Sequence, residues 1–244
     1  MIPTEALPDT MLIGDLRFAV RESSLRTTVG ITVDRDGSLQ LHAPVGCPPD
    51  ALAMWARSKR MWVYRKLAEK DLLLSSQPAK EFVTGEGFAY LGRSYRLLVA
   101  EADRVRMHRG RLILPPAEVD NGNAGAALVQ WYRGRGRQWL PDRLRRWESR
   151  MDLTPEGLDV RDLGYRWGSL GGNGRLNIHW ATLQLPPSLV DYVLVHELAH
   201  TRHPRHDQAF WAAVERAMPD YARRKDELIT AGMTLWLGGP HRLA

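Results

Sequence analysis

An apolar run, Tyr192-Val193-Leu194-Val195, leads directly into His196-Glu197-Leu198-Ala199-His200. A chain that buries this stretch as a helix must find partners for three polar side chains in its middle, because unpartnered buried polar groups are costly. Residues four apart share a helix face about one turn along, so the two imidazoles can reach one tetrahedral zinc ion. Glu197 lies about a third of a turn round the helix. From there it is badly placed to share the ion with both histidines and well placed to take a proton from a water beside it. The pattern therefore predicts His196 and His200 as metal ligands and Glu197 as general base. The plainer alternative is a helix whose histidines hydrogen-bond within a core.

Zinc needs a third protein ligand and, where it does chemistry, an open fourth position. His206 follows His200 by six residues, the spacing of His-Glu-x-x-His-x-x-Gly-x-x-His, in which the glycine lets the chain turn back. Here His203 stands in the glycine's place, but Pro204 follows it, and proline disfavours helix at the residue before it. The helix is thus predicted to end near Arg202 and a short turn to return His206 to the ion, with His203 out of phase. The rival third ligand is a downstream acid such as Glu215. The single cysteine, Cys47 in Gly46-Cys47-Pro48-Pro49, excludes an internal disulfide and a thiolate-rich zinc site.

The net charge of +6 is largely arginine. Arg133, Arg135, Arg137, Arg143, Arg145, Arg146 and Arg150 stand against only Asp142 and Glu148 in the same stretch. Such a cluster suits a phosphate-contacting face, hence a nucleic-acid partner, and equally a solvated helix face. No basic cluster followed by an apolar run opens the chain, and no stretch approaches about 18 uncharged apolar residues. The expectation is a cytoplasmic protein with no membrane partner. The nine tryptophans are expected to be packing anchors, buried or half-buried.

Along the chain, strands are expected around 16–21, 26–33 and 38–43, with Asp34-Arg35-Asp36-Gly37 as a hairpin turn. Pro48-Pro49-Asp50 opens a helical stretch to about Leu74, with Leu52, Trp55, Trp62 and Leu67 at roughly helical spacing. Strands return at 87–91, 93–99 and 111–114. Residues 117–127, with Asp120-Asn121-Gly122-Asn123, form the best linker candidate. Beyond them Leu140, Leu144, Trp147 and Met151 mark one helix face, with Gly134 and Gly136 weakening its first turns. Residues 165–180 read as strand, glycine-rich turn, strand, and Gly174–Trp180 is a candidate edge strand for an extended peptide. Phe210, Trp211, Val214 and Met218 follow helical spacing as core. No internal repeat is evident.

His196-Glu197-Leu198-Ala199-His200, then His206, then Phe210-Trp211, resembles the YgjP-type (DUF45) metallopeptidases, relatives of the SprT and WLM zincin-like proteases. Arg166-Trp167-Gly168-Ser169 matches that family's Arg-Trp-Gly-Ser-Cys signature, with Leu170 where the family has cysteine. His179-Trp180, Pro186-Pro187, Asp191-Tyr192 and, more weakly, residues 90–95 add to the likeness, which spans roughly 15–228. The resemblance implies a zinc peptidase with ligands His196, His200 and His206, and one zinc ion per chain.

The sequence thus predicts an α+β chain. A tail covers 1–14, a strand-rich subdomain 15–116, a helical zincin-like catalytic subdomain 128–232 and a second tail 233–244. The predicted reaction is peptide-bond hydrolysis on protein or peptide substrates. A donor to the developing oxyanion is also required, for which Arg166, His179 and Tyr221 are candidates; Arg166 can instead pair with an acid, and His179 can be a satisfied strand residue. Two other function classes stay open. One is a DNA-associated protein that acts, like SprT, on DNA-bound proteins. The other is a zinc-stabilised regulator without turnover, which would not need Glu197.

Overall fold

The computed structural model describes residues 7–24, 26–33, 38–76, 80–164 and 166–238, with the backbone alone for 69–76. The fold is α+β and divides into two compact units, Met1–Ser76 and Gln77–Ala244.

The first unit holds β1 (Thr10–Ile13), β2 (Leu16–Ser23), β3 (Gly30–Val33) and β4 (Leu39–Pro44) in the order β1-β2-β4-β3. β1 and β2 form an antiparallel hairpin, β2 runs parallel to β4, and β3 is antiparallel to β4. Leu39, Leu41 and Ala43 alternate down β4 into the core, as a half-buried strand requires. There they join Ile13, Phe18 and the helical residues Leu52, Ala56 and Val63. The helical stretch is two helices, α1 (Pro49–Ser58) and α2 (Arg60–Ser76), broken by a turn at Lys59. The break shifts the helical phase, so Val63 takes the buried place and Trp62 is 41% exposed. The 34–37 turn lies outside the described residues, but β3 and β4 pair across it as a hairpin does.

The second unit opens with the same arrangement. Its strands β5 (Gly87–Tyr90), β6 (Arg93–Val99), β7 (Arg106–His108) and β8 (Arg111–Leu114) lie in the order β5-β6-β8-β7, with identical antiparallel, parallel and antiparallel pairings. In both units two prolines end the sheet, Pro48-Pro49 and Pro115-Pro116. The first of each pair caps a helix and the second fills its first turn, where a missing N–H leaves nothing unbonded. No repeat is legible in the sequence, yet the topology is repeated.

Residues 117–127 are not a linker. They form α3 (Pro116–Asp120), a turn at Gly122 and the start of α4 (Ala124–Met151), and the units divide at 76/77 instead. The two expected tails are also in part structural. β1 lies within 1–14, and Leu235, Trp236 and Leu237 are buried in the second core, where Gln184 Nε2 donates to the Trp236 carbonyl at 2.6 Å.

A third sheet, β10 (Gly168–Leu170), β11 (Arg175–His179) and β9 (Gly157–Arg161), has the order β10-β11-β9. A 3-10 helix (Trp180–Gln184) then leads into α5 (Pro187–Ala199), α6 (Gln208–Ala217) and α7 (Tyr221–Gly232). Three contacts position the 3-10 helix and α5 after it. The β5–β6 turn donates from Leu91 N–H to the Leu183 carbonyl at 2.7 Å. At Gly92 a Cβ would stand 2.9 Å from the Pro186 backbone at the helix cap, so only glycine allows the approach. Arg143 of α4 grips Asp191 of α5 with two hydrogen bonds of 2.7 and 2.8 Å. Gly136, far from weakening α4, lets it close on Leu183 and Val160, where a Cβ would sit 3.1 Å from both. Among the described residues no helix is long and apolar enough to cross a membrane.

Candidate metal centre

α5 begins on Pro187, in its first turn, and buries nearly every residue up to Ala199. It ends at His200, followed by a turn in which the N–H groups of Arg202 and His203 both donate to the Ala199 carbonyl. The chain leaves the helix ahead of Pro204 and re-enters one at Asp207, whose side chain caps α6 by accepting from Phe210 N–H at 2.9 Å. His206 sits at the end of that loop. Its Nε2 lies 3.0 Å from His196 Nε2 and 3.1 Å from His200 Nε2.

This triangle fits a metal better than it fits hydrogen bonds. The His200 Nδ1 is 3.0 Å from the His203 carbonyl, which holds the proton on that nitrogen and leaves Nε2 as a lone pair. Nε2 of His206 faces both partners and can donate to only one. Two nitrogens on a tetrahedral zinc at about 2.05 Å are about 3.3 Å apart, close to the spacing seen. Burial, followed by the neighbouring charges of His200, His206 and Lys225, pushes the His196 imidazolium down to about 3, so that ring is neutral and able to ligate. His200 is shifted in the same direction, chiefly by burial. Among the described residues this is the one cluster of three or more histidine, cysteine or carboxylate ligands suited to a metal. Phe210 packs against all three rings, with centroids 4.6 to 5.0 Å away, and Trp211 stacks on His206 at 5.7 Å.

The three histidines open on a cavity of about 600 Å³. Its walls include Arg166, Trp167 and the strand β10 that follows them, Tyr192, Val193 and Glu197 of α5, and Lys225, Leu228 and Ile229 of α7. Glu197 is buried against β10. A Cβ on Gly168 would stand 2.5 Å from Glu197 Cγ and 2.8 Å from Oε1, so the side chain lies where only glycine leaves room. Burial pushes the Glu197 carboxyl up to about 7, opposed by the charge of Arg166 and by a hydrogen bond from the Leu170 backbone N–H. A bound cation would draw it down again. Leu170 serves Glu197 through its backbone, so that contact does not depend on the side chain at position 170.

The other sequence candidates separate. Arg166 lines the cavity. His179 does not. It is 1% exposed, accepts the Ala181 N–H on Nδ1 at 3.0 Å as cap of the 3-10 helix, and turns Nε2 toward Asp162 at 3.4 Å. Tyr221 stacks on Trp211 at 5.5 Å, outside the cavity lining. Glu215 is exposed on α6, outside the ligand cluster, and His203 contributes its carbonyl rather than its ring. β11 is not an edge strand, since it pairs with β10 on one side and β9 on the other; the edge beside the cavity is β10. Tyr192 was missed as a site residue. It lines the cavity one turn before His196, with ring centroids 5.9 Å apart, and burial holds its phenol protonated by pushing it up to about 12. The i, i+4 spacing to His196 was the available signal.

The arginine stretch is largely occupied. Besides Arg143 on Asp191, Arg133 Nε donates to the Val160 carbonyl, Arg135 to the Tyr90 hydroxyl, Arg145 pairs with Asp142, and Arg150 lies over the Trp147 ring. These contacts engage five of the seven arginines within the chain itself.

Among curated proteins none matches the chain. One solved structure that resembles it is the crystal structure of the metallopeptidase zymogen of Pyrococcus abyssi abylysin. It is 24% identical, with a TM-score of 0.35, over 37% of this chain and 92% of that one. The family described as YgjP-like, metallopeptidase domain, matches residues 27–231, well over half of the sequence. The chain belongs to the YgjP-like metallopeptidase family.

Proposed function

We propose that the chain hydrolyses peptide bonds with one zinc ion held by His196, His200 and His206 and with Glu197 as general base. The observation that carries this reading is the convergence of three imidazole Nε2 atoms, 3.0 and 3.1 Å apart, beside a buried carboxylate that is not one of the cluster. When bound, the ion supplies Lewis acidity, which acidifies a water and polarises a carbonyl. Glu197 takes the proton of the attacking water and returns it to the amine nitrogen as the C–N bond breaks. Its seat against Gly168 and the Leu170 N–H keeps it from swinging onto the ligand atoms. Tyr192, held protonated, and Arg166 are the donors available to the developing oxyanion. β10 is the edge strand beside the cavity, and since Glu197 takes the Leu170 N–H, an extended peptide would use the backbone groups of β10 that remain, which would give it a defined direction across the site.

The test is Glu197→Gln, which preserves shape but cannot accept the proton. Cleavage of an unfolded protein substrate should fall by ~10²–10⁴-fold, while zinc content and Tm stay as in the wild type. Undiminished cleavage by the variant would remove Glu197 from the mechanism. Loss of zinc along with activity would make it a ligand.

A further inference from the structure

Lys225, Leu228 and Ile229 stand at i, i+3 and i+4 on α7, so one helix face turns toward the cavity. Two of the three are apolar, and Ile229 is 55% exposed. Lys225 is the exception. Its ammonium lies 4.9 Å from the centroid of the Trp211 ring, and Trp211 in turn stacks between His206 and Tyr221. The aromatic ladder therefore ties a positive charge to the loop that carries one of the three clustered histidines. Among the described residues Lys225 makes no ion pair; Asp220 and Glu227, its neighbours along α7, are both taken by Arg223, and Asp220 also by Arg224.

Apart from the Trp211 ring, the cavity gives this charge no partner: Lys225 is paired with no acid of the wall among the described residues. Among the described residues Glu197 is the one acid on the cavity wall, and Arg166 adds a second cation. A divalent ion at the histidines would be repelled by Lys225 rather than held by it. An anion in the cavity reverses the sign of that interaction, and an ammonium already fixed on an indole needs little reordering to meet it. We propose that Lys225 is a specificity-determining residue that pairs with a carboxylate of the bound peptide. The carboxylate is either an aspartate or glutamate side chain or the peptide's own C-terminus. Leu228 and Ile229, one turn on, would cover an apolar residue beside it. This inference rests on the peptidase reading for its ligand class, but Lys225 plays no part in the proton transfers.

Binding and cleavage separate the two ideas. The probes are short unstructured peptides with Glu or Gln at successive positions, each with a free or amidated C-terminus. Binding is measured calorimetrically on the zinc-loaded, full-length Glu197→Gln protein, and cleavage on the wild type. Exposed ion pairs set the expected size, about a two- to fivefold preference for the carboxylate at low salt. The preference should shrink as ionic strength rises, approach one in Lys225→Met, and turn toward lysine-bearing peptides in Lys225→Glu. A preference for Glu over Gln at one position assigns a side chain; a preference for the free acid over the amide assigns the C-terminus. If the preference survives Lys225→Met, or the parent protein shows none while the wild type cleaves the peptides, this inference fails and the peptidase reading stands. If the preference behaves as expected but the wild type cleaves nothing, the peptidase reading fails and the carboxylate site stands. Lys225 is exposed, so an unchanged Tm in both variants excludes misfolding as the cause.

Discussion

The two units begin with the same four-stranded, two-helix arrangement and then put it to different uses. In the first, the sheet and helices close on an entirely apolar core. Among the described residues every buried polar or charged side chain belongs to the second unit: Asn177, His179, Thr182, Gln184, Asp191 and Glu197. All six fall in the β11-to-α5 segment, which the first unit has no counterpart for. The topology is common to both units; the added segment holds two of the three clustered histidines and Glu197. α4 joins the two roles, because one end of it packs under the second sheet while Arg143 grips α5, the helix of His196 and His200.

The largest expected effects come from emptying each core. Leu41 and Leu194 are both fully buried, one in each unit, and Leu→Ala at either should cost about 2–5 kcal/mol. The outcomes should differ in kind. Leu194→Ala, two residues before His196, should lower metal occupancy as well as stability. Leu41→Ala should destabilise the first unit while the folded fraction keeps its metal. Denaturation followed in parallel with metal content checks this, and metal loss from folded Leu41→Ala would break the division of labour.

A smaller effect should come from Gly168→Ala. The added methyl meets Glu197 Cγ at 2.5 Å, so the carboxylate must move or β10 must yield. Overpacking of this kind costs about 1–3 kcal/mol. Activity should fall by about tenfold or more, since a general base works only within hydrogen-bond reach of its proton. Gly46→Ala, in the first unit where a Cβ meets nothing within 4 Å, should cost only the strain of its φ of +79° and leave activity alone. Equal losses of activity from both substitutions would show that the first unit reaches the chemistry.

How much of this was legible in the sequence follows from how local each feature is. The helix of the candidate site was legible, because its apolar residues and histidines share one short segment. The return of His206 was legible because Pro204 forces a stop. The strand-rich beginning and helical continuation could be read from periodicity. What escaped depends on pairing at a distance. β9 is a short Gly-Leu-Asp-Val-Arg stretch with little apolar pattern; only its parallel pairing with β11 makes β11 central and leaves β10 as the edge. The matching topologies escaped because strand order, not side-chain identity, is what repeats. The contact between Gly168 and Glu197 joins residues 29 apart, and nothing local to either announces it. Arg143 looked like part of a basic face because Asp191, its partner, is 48 residues away.

The central claim is that three histidines, and not a downstream acid, hold one metal ion. It is tested most directly by metal analysis of the full-length protein, purified without chelators, beside His206→Ala and Glu215→Ala. The geometry leads to about one zinc per chain in the wild type and in Glu215→Ala, and to strongly reduced zinc in His206→Ala. Wild-type protein free of metal, or zinc kept by His206→Ala and lost from Glu215→Ala, would contradict it.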